Sequence, residues 1–231
     1  MQLMPELIDV VYTAGKVFDN LGCSRQATHA FLTTGATIGT ADQPISTADL
    51  ALLADLRDVA LITQTARATG EPVTADLLIT INAAMTRSAA LHPGRLRTDD
   101  QHIGVSTSYG RHTPPPQSRS SLDALIATTL PRPHPTPTGN VPARNASRRS
   151  AAARLFVHLA AAQPFEDGNK RTALLAANVA LGQSGTLRAP YSENAPEIAN
   201  RFHDLLARAY IFGEIEPAAD YLVTNGIVST S

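Results

Sequence analysis

Gln163-Pro164-Phe165-Glu166-Asp167-Gly168-Asn169-Lys170-Arg171-Thr172 is the stretch on which the reading of this chain turns. On its N-terminal side, Ala151 to Ala162 is apolar at almost every position except Arg154 and His158, which predicts a helix buried nearly all round. That helix is expected to end at Gln163, because a residue before proline is pushed out of the α region. On the C-terminal side, Thr172 to Leu181 reads as a second apolar helix. A charged, glycine-containing turn therefore sits between two buried helices.

A turn of this kind feeding a helix N-terminus presents backbone N–H groups that have no intrahelical partner, and the helix dipole adds partial positive charge there. It is suited to an anion. Lys170 and Arg171 supply charge, and Arg171 offers a planar fork that matches phosphate oxygens. Asp167, or alternatively Glu166, supplies a carboxylate for Mg²⁺, which commonly takes one or two protein carboxylates plus phosphate oxygens and water. The same residues also read as a solvated turn whose charges cap two helices, and on generic grounds alone that reading is the better one.

Taken in order, these residues resemble the signature HPFx(D/E)GN(G/K)R of the Fic/Doc (Fido) family at every position except the first. Further upstream, Pro93-Gly94-Arg95-Leu96-Arg97, Ile103-Gly104 and His112-Thr113-Pro114-Pro115-Pro116 are similar to the segment that carries the family's target-docking flap and the proline turn after it. Downstream, Pro196 to Leu222 is similar to its closing helices. The resemblance implies an all-α fold: a Fic-type helical bundle with a short β-hairpin flap. It implies an N-terminal helical extension over residues 1–30 and a Fic-like domain over 31–231, with a Pro-rich loop at 131–145.

Most of the family, by this resemblance, transfers AMP from ATP to a protein hydroxyl, with the motif histidine as general base. Carried over by position, Asp167 becomes the metal ligand, Gly168, Asn169 and Lys170 the phosphate turn, Arg171 the phosphate clamp, and Phe165 the buried anchor of the loop. Mg²⁺ and ATP, or another phosphorylated nucleotide or small ligand, are the implied cofactor and partner. A homodimer is among the assemblies such proteins form.

Three departures qualify the resemblance. Gln163 stands where the family has its histidine, and a carboxamide is not usefully basic near neutral pH. General-base catalysis is typically worth about 10²–10⁴-fold, so AMP transfer to a hydroxyl is expected to be severely impaired. Leu174 stands where many members have a second arginine, and Asn169-Lys170-Arg171-Thr172-Ala173-Leu174 instead resembles the Doc branch, which phosphorylates its target. Thr34-Gly35-Ala36-Thr37-Ile38-Gly39 falls where self-inhibited members carry an inhibitory helix, with Ile38 in place of its glutamate. A substitute base is sought in His112, next to the flap. His158 lies five residues before Gln163 and points about 140° away around the helix, which suits a buried histidine. His134 in the proline loop, Tyr109, and Arg148 and Arg149 at a helix start read as ordinary surface residues.

Three function classes follow: a Fic-fold transferase with altered chemistry, whose acceptor needs no deprotonation; a non-catalytic nucleotide-binding regulator; and a Doc-like phosphotransferase.

Elsewhere, Leu7, Val10, Val11 and Val17 predict one amphipathic helix, and Leu50 to Ile62 a second behind Ser46-Thr47 as caps. A third is expected from Thr74 or Ala75 through Met85, and a short one over about Ser120 to Thr129. Ile103 to Tyr109 reads as extended chain, a hairpin. Eight of the sixteen prolines fall between Pro114 and Pro142, and the runs Pro114-Pro115-Pro116 and Pro131 to Pro137 cannot be helix interior.

The chain as a whole has 231 residues, 43% hydrophobic, with a formal charge of −1. That length supports one domain, and that charge disfavours nonspecific nucleic-acid binding. No apolar run approaches the roughly 20 residues that cross a bilayer, so no membrane insertion is expected, and the N-terminus lacks a secretory pattern. Cys23 is alone, which excludes an intrachain disulfide. The expected location is the cytoplasm.

Overall fold

Capping residues and apolar spacing fix where the helices begin. α1 (Pro5–Phe18) opens on a proline, whose missing N–H costs nothing in a first turn, and buries Leu7, Val10, Val11 and Val17. α2 (Arg25–Thr34) and α3 (Thr47–Thr69) start at Ser24 and Ser46, whose side chains accept from the N–H groups of Ala27 and Asp49. Thr74 does the same for α4 (Ala75–Ala83) through Leu77. The computed structural model describes residues 2–37, 45–88, 92–101, 103–130 and 141–229.

A hairpin follows, β1 (Val105–Thr107) and β2 (Gly110–His112), antiparallel with Val105 opposite His112. Then come α5 (Arg119–Thr129), α6 (Val141–Ala162), α7 (Asn169–Leu181), strand β3 (Thr186–Leu187), α8 (Pro196–Phe212), α9 (Ile215–Asn225) and strand β4 (Ile227–Val228). β3 and β4 pair antiparallel. The all-α expectation holds: among the described residues the strands form only two two-stranded pieces.

α7 is the hub. It packs along α6 and also meets α3, α4, α1 and β3. Every residue from Arg171 to Val179 is buried. Alanines at 152, 153, 160, 173, 176 and 177 let helix backbones approach closely. The Asn178 carboxamide donates to the carbonyls of Leu174 and Leu187 and accepts from the Leu187 N–H, which fastens β3 to α7. Phe18, Phe156 and Phe202 form an aromatic cluster with centroids 6.0–6.5 Å apart, so α1 shares one core with α6 and α8.

Two boundaries differ from expectation. α6 begins at Val141, so residues 141–145 of the stretch read as Pro-rich loop are helical, while 131–140, with His134, lie outside the described residues. Pro142 is accommodated because it falls in the first turn. α7 begins at Asn169 and not at Thr172: Asn169-Lys170-Arg171, read as turn, is its first turn. Apolar periodicity misses a first turn built of polar residues. α2, β3 and β4 were not anticipated, and Ile38 and Gly39 lie outside the described residues.

Arg97 locks the segment before the hairpin to the α6–α7 turn. It is 3% exposed, and its Nε donates to the Gln163 carbonyl at 2.6 Å while Nη2 donates to Pro114 O and Pro115 O at 3.1 and 3.4 Å. Its backbone N–H bonds Pro164 O, and Leu96 bridges antiparallel to Phe165. Burial lowers its pKa, opposed by no paired carboxylate. Replacing Arg97 by Ala should cost about 3 kcal/mol by stranding these carbonyls, read as a fall in the denaturant midpoint. Arg97→Lys should recover little of it, because a single ammonium cannot span carbonyls that approach from different directions.

Candidate active site

The loop between α6 and α7 is closed by one side chain. Asn169 accepts from the Phe165 N–H through Oδ1 at 2.9 Å, and its Nδ2 donates to Phe165 O at 2.9 Å and to Gln163 Oε1 at 3.0 Å. Phe165, 1% exposed, lies beneath the loop as its anchor. Gly168 caps α7 with φ +72° and no side-chain cap, a conformation that favours glycine. A Cβ there would also stand 2.9 Å from Met85 Sδ and 3.0 Å from Asn82 Nδ2. Asn82 of α4 bolts the loop from the other side, donating to Asp167 O and Thr172 Oγ1 and accepting from the Gly94 N–H.

The outcome is a cleft of about 260 Å³ at an uncapped helix N-terminus, lined by Phe18, Asp19, Ile103, Gly104, Val105, Gln163 and residues 166–171. The first-turn N–H groups of α7 have no intrahelical acceptor. Of the residues singled out in the sequence, Gln163, Glu166, Asp167, Gly168, Asn169, Lys170 and Arg171 converge on this cleft.

Arg171 is 3% exposed, and its fork is shared: Nη1 donates to Ser88 Oγ at 2.9 Å, Nη2 meets Asp167 Oδ2 at 3.3 Å, and Nε lies 3.6 Å from Asp19 Oδ1. Lys170 Nζ sits 5.3 Å from the centre of the Phe18 ring. Burial lowers its pKa, and Asp19 and Asp167 oppose that shift. The Asp19 carboxyl is pushed the other way: burial raises its pKa, while Arg171 and Lys170 pull it down. Its Oδ2 is buried with no hydrogen-bond partner.

Gln163 adopts a left-handed backbone conformation, φ +44°, and is 4% exposed. Its Nε2 donates to Ala160 O at 2.5 Å while Oε1 accepts from Asn169, so both ends of the carboxamide are engaged within the protein. His112 is not among the cleft-lining residues. Its Nε2 donates to Ala161 O at 2.7 Å and its ring stacks on Tyr210 with centroids 5.0 Å apart, which fastens the hairpin to the end of α6 and to α8. At the hairpin tip, Tyr109 bonds Asp204 Oδ1 and meets Phe212 edge-on. His158 is half-buried near Arg154 and Glu216, with its pKa lowered by burial. Arg148 and Arg149 bond Ser184 and Ser229, near the C-terminal end of α7 and away from the cleft.

Glu166 is held by His92 Nδ1 at 3.1 Å and by Gln101 Nε2. Asp167 is different: its Oδ1 accepts from the Gly168 N–H, yet the side chain stays 52% exposed at the cleft. Among the described residues no three His, Cys, Asp or Glu side chains gather as a metal cage. A lone accessible carboxylate with hard oxygen donors fits Mg²⁺ that arrives with phosphate oxygens and water, and Asp167 is the residue that would hold it.

Asp19, Phe18, Ser88, Asn82, His92 and Gln101 escaped the sequence reading. They come from a helix end, a turn and irregular segments, where no periodicity marks a residue as facing a distant loop.

Residues 72–181 match the model of the Fic/DOC family. That segment is a Fic/DOC-family domain. Two solved structures share its fold across 96% of this chain: a Fic domain containing signaling protein from Bacteroides thetaiotaomicron VPI-5482, at 18% identity, 87% coverage of that chain and a TM-score of 0.60, and Fic-1 from C. elegans, at 18% identity, 61% coverage of that chain and a TM-score of 0.67. No curated protein matches the chain significantly. Asp19 and Phe18 lie outside the matched Fic/DOC segment, so α1 adds to the cleft from beyond it.

The Asp19 shift has a measurable sign. A carboxyl whose folded pKa lies above its unfolded value contributes stability at low pH that is lost as pH rises through the folded pKa. Between about pH 4 and pH 7, the Tm difference between Asp19→Asn and wild type should therefore move in favour of Asp19→Asn. A pH-independent difference would mean that Asp19 titrates normally.

Proposed function

We propose that this protein binds a nucleotide, or another small phosphorylated ligand, together with Mg²⁺ in the α6–α7 cleft, and that it is a Fic-fold transferase whose reaction does not rely on a base at residue 163. One observation carries the reading: an uncapped helix N-terminus, a buried guanidinium, a half-buried ammonium and an accessible carboxylate meet in one cleft.

The charge of the lining supports a metal-bound ligand over a bare phosphate. Three carboxylates, Asp19, Glu166 and Asp167, face two cations, Lys170 and Arg171. Bound at Asp167, Mg²⁺ would offset phosphate charge and polarise the phosphoryl oxygens. Arg171 and Lys170 contribute two positive charges, and the α7 N–H groups contribute hydrogen bonds that need no reorganisation. Gln163 removes no proton from an acceptor hydroxyl, so a carboxylate or phosphate acceptor, already a nucleophile, is favoured.

A second reading, a nucleotide-binding regulator without catalysis, draws on the closure of Gln163 at both ends. The Asn169-Lys170-Arg171 order keeps a Doc-like phosphotransferase among the transferase forms.

Calorimetric titration with ATP, GTP and CDP-type nucleotides in Mg²⁺ should reveal at least one ligand in the micromolar range, weakened about tenfold or more by Arg171→Ala. Failure of every phosphorylated ligand to bind sinks both the transferase and the regulator. Gln163→His should raise nucleotidyl transfer to a protein hydroxyl by about 10²-fold or more, read as incorporation of labelled nucleotide. Rapid self-modification by the unaltered protein would contradict the role assigned to Gln163.

A further inference from the structure

We propose that Asp55 and Ser88 are positioning residues that orient the Arg171 guanidinium toward the ligand's phosphate; this rests on the anion-binding reading of the cleft. Asp55, on α3, is fully buried, yet each of its oxygens is met by donors. It accepts from the backbone N–H groups of Arg87 and Ser88 at 2.9 and 2.7 Å, from Ser88 Oγ at 2.8 Å and from Arg87 Nη1 at 2.9 Å. One carboxylate thus folds the turn after α4 onto α3 and fixes the Ser88 side chain.

A hydroxyl has a single proton. The Ser88 proton is committed to Asp55, so its oxygen faces Arg171 as an acceptor, and Nη1 donates to it at 2.9 Å. The carboxylate polarises the hydroxyl and strengthens the second bond of the chain. Ser88 is the uncharged acceptor among the three groups that hold the fork; Asp167 and Asp19 are the others.

The arrangement separates orientation from neutralisation. A carboxylate placed directly on Nη1 would hold the guanidinium but also cancel its charge and repel an incoming phosphate. With Asp55 set one hydroxyl away, and its charge engaged by Arg87 and two N–H groups, Arg171 is held in plane while a third anion is kept off it. Without Ser88, the fork is left to Asp19 and Asp167 and swings toward them. Asp55 lies outside the 72–181 match, so this support is built from α3.

The test is calorimetry of Mg²⁺-ATP binding to the full chain as wild type, Ser88→Ala, Ser88→Thr, Arg171→Ala and the Ser88→Ala/Arg171→Ala double variant. Ser88→Ala should weaken binding about tenfold. Ser88→Thr, which keeps the hydroxyl, should recover most of that loss, and the double variant should bind no more weakly than Arg171→Ala, because Ser88 acts through Arg171. A Ser88→Ala protein that binds as wild type, or a double variant weaker than Arg171→Ala by the whole Ser88→Ala factor, overturns the proposal. If instead Arg171→Ala binds as wild type, the anion-binding reading itself fails. A ligand-independent arm decides the proposal in either event. The ¹⁵Nε–¹H heteronuclear NOE of Arg171 should be high in wild type and Ser88→Thr and clearly lower in Ser88→Ala. Equal values overturn it.

Discussion

The Asn169 carboxamide is the constraint on which the cleft depends. It spans four residues back to Phe165, takes the N–H and carbonyl of that residue together, and reaches Gln163 with its remaining proton. A buried amide satisfied in this way behaves as part of the main chain: removing it would strand three polar groups in the interior. Because the loop is closed from within, Phe165 can sit under it, Gly168 can turn outward over Met85, and α7 can start with its dipole facing the cleft. Arg97 and Asn82 apply the same logic from the two flanks, so the loop rests on a framework of bonds between carbonyls and amides.

That framework sets cations and carboxylates side by side. Arg171 is buried among acceptors, and Lys170 is held over an aromatic ring. Two carboxylates and a hydroxyl surround Arg171, and those carboxylates limit how strongly it attracts a bare anion. Under the proposed function such a site would discriminate by the combination of ligand phosphate and cation, which would suit a small metal-chelated molecule.

Much of this was legible in the sequence because it is local. The helix break before Pro164, the glycine at the head of α7 and the ordered run from Phe165 to Arg171 are near neighbours in the chain, and the structure brings these residues to one cleft with Phe165 beneath it. The hairpin near Val105 and the helix near Ser120 also announced themselves through strand-forming residues and flanking prolines. Three kinds of feature stayed hidden. The polar helix start at Asn169 carries no apolar period, and the one at Val141 is obscured by Pro142 in its first turn. Side chains such as Asp19, Asp55 and Ser88 earn their roles from contacts across tens of residues. His112 reads from its place beside the hairpin as a candidate base, while its Nε2 is bound to the Ala161 carbonyl, a fact of packing that no spacing rule contains.

The backbone at residue 163 has a consequence for which side chains this loop can carry. A left-handed φ is visited readily by asparagine, aspartate and histidine and is costly for valine, isoleucine and threonine. Residue 163 is therefore a filtered position, open to a narrow set of polar side chains whatever selection asks of it. Glutamine is outside the residues that enter this region readily, so the conformation is imposed by its surroundings: Ala160 and Asn169 hold the carboxamide and Arg97 holds the carbonyl.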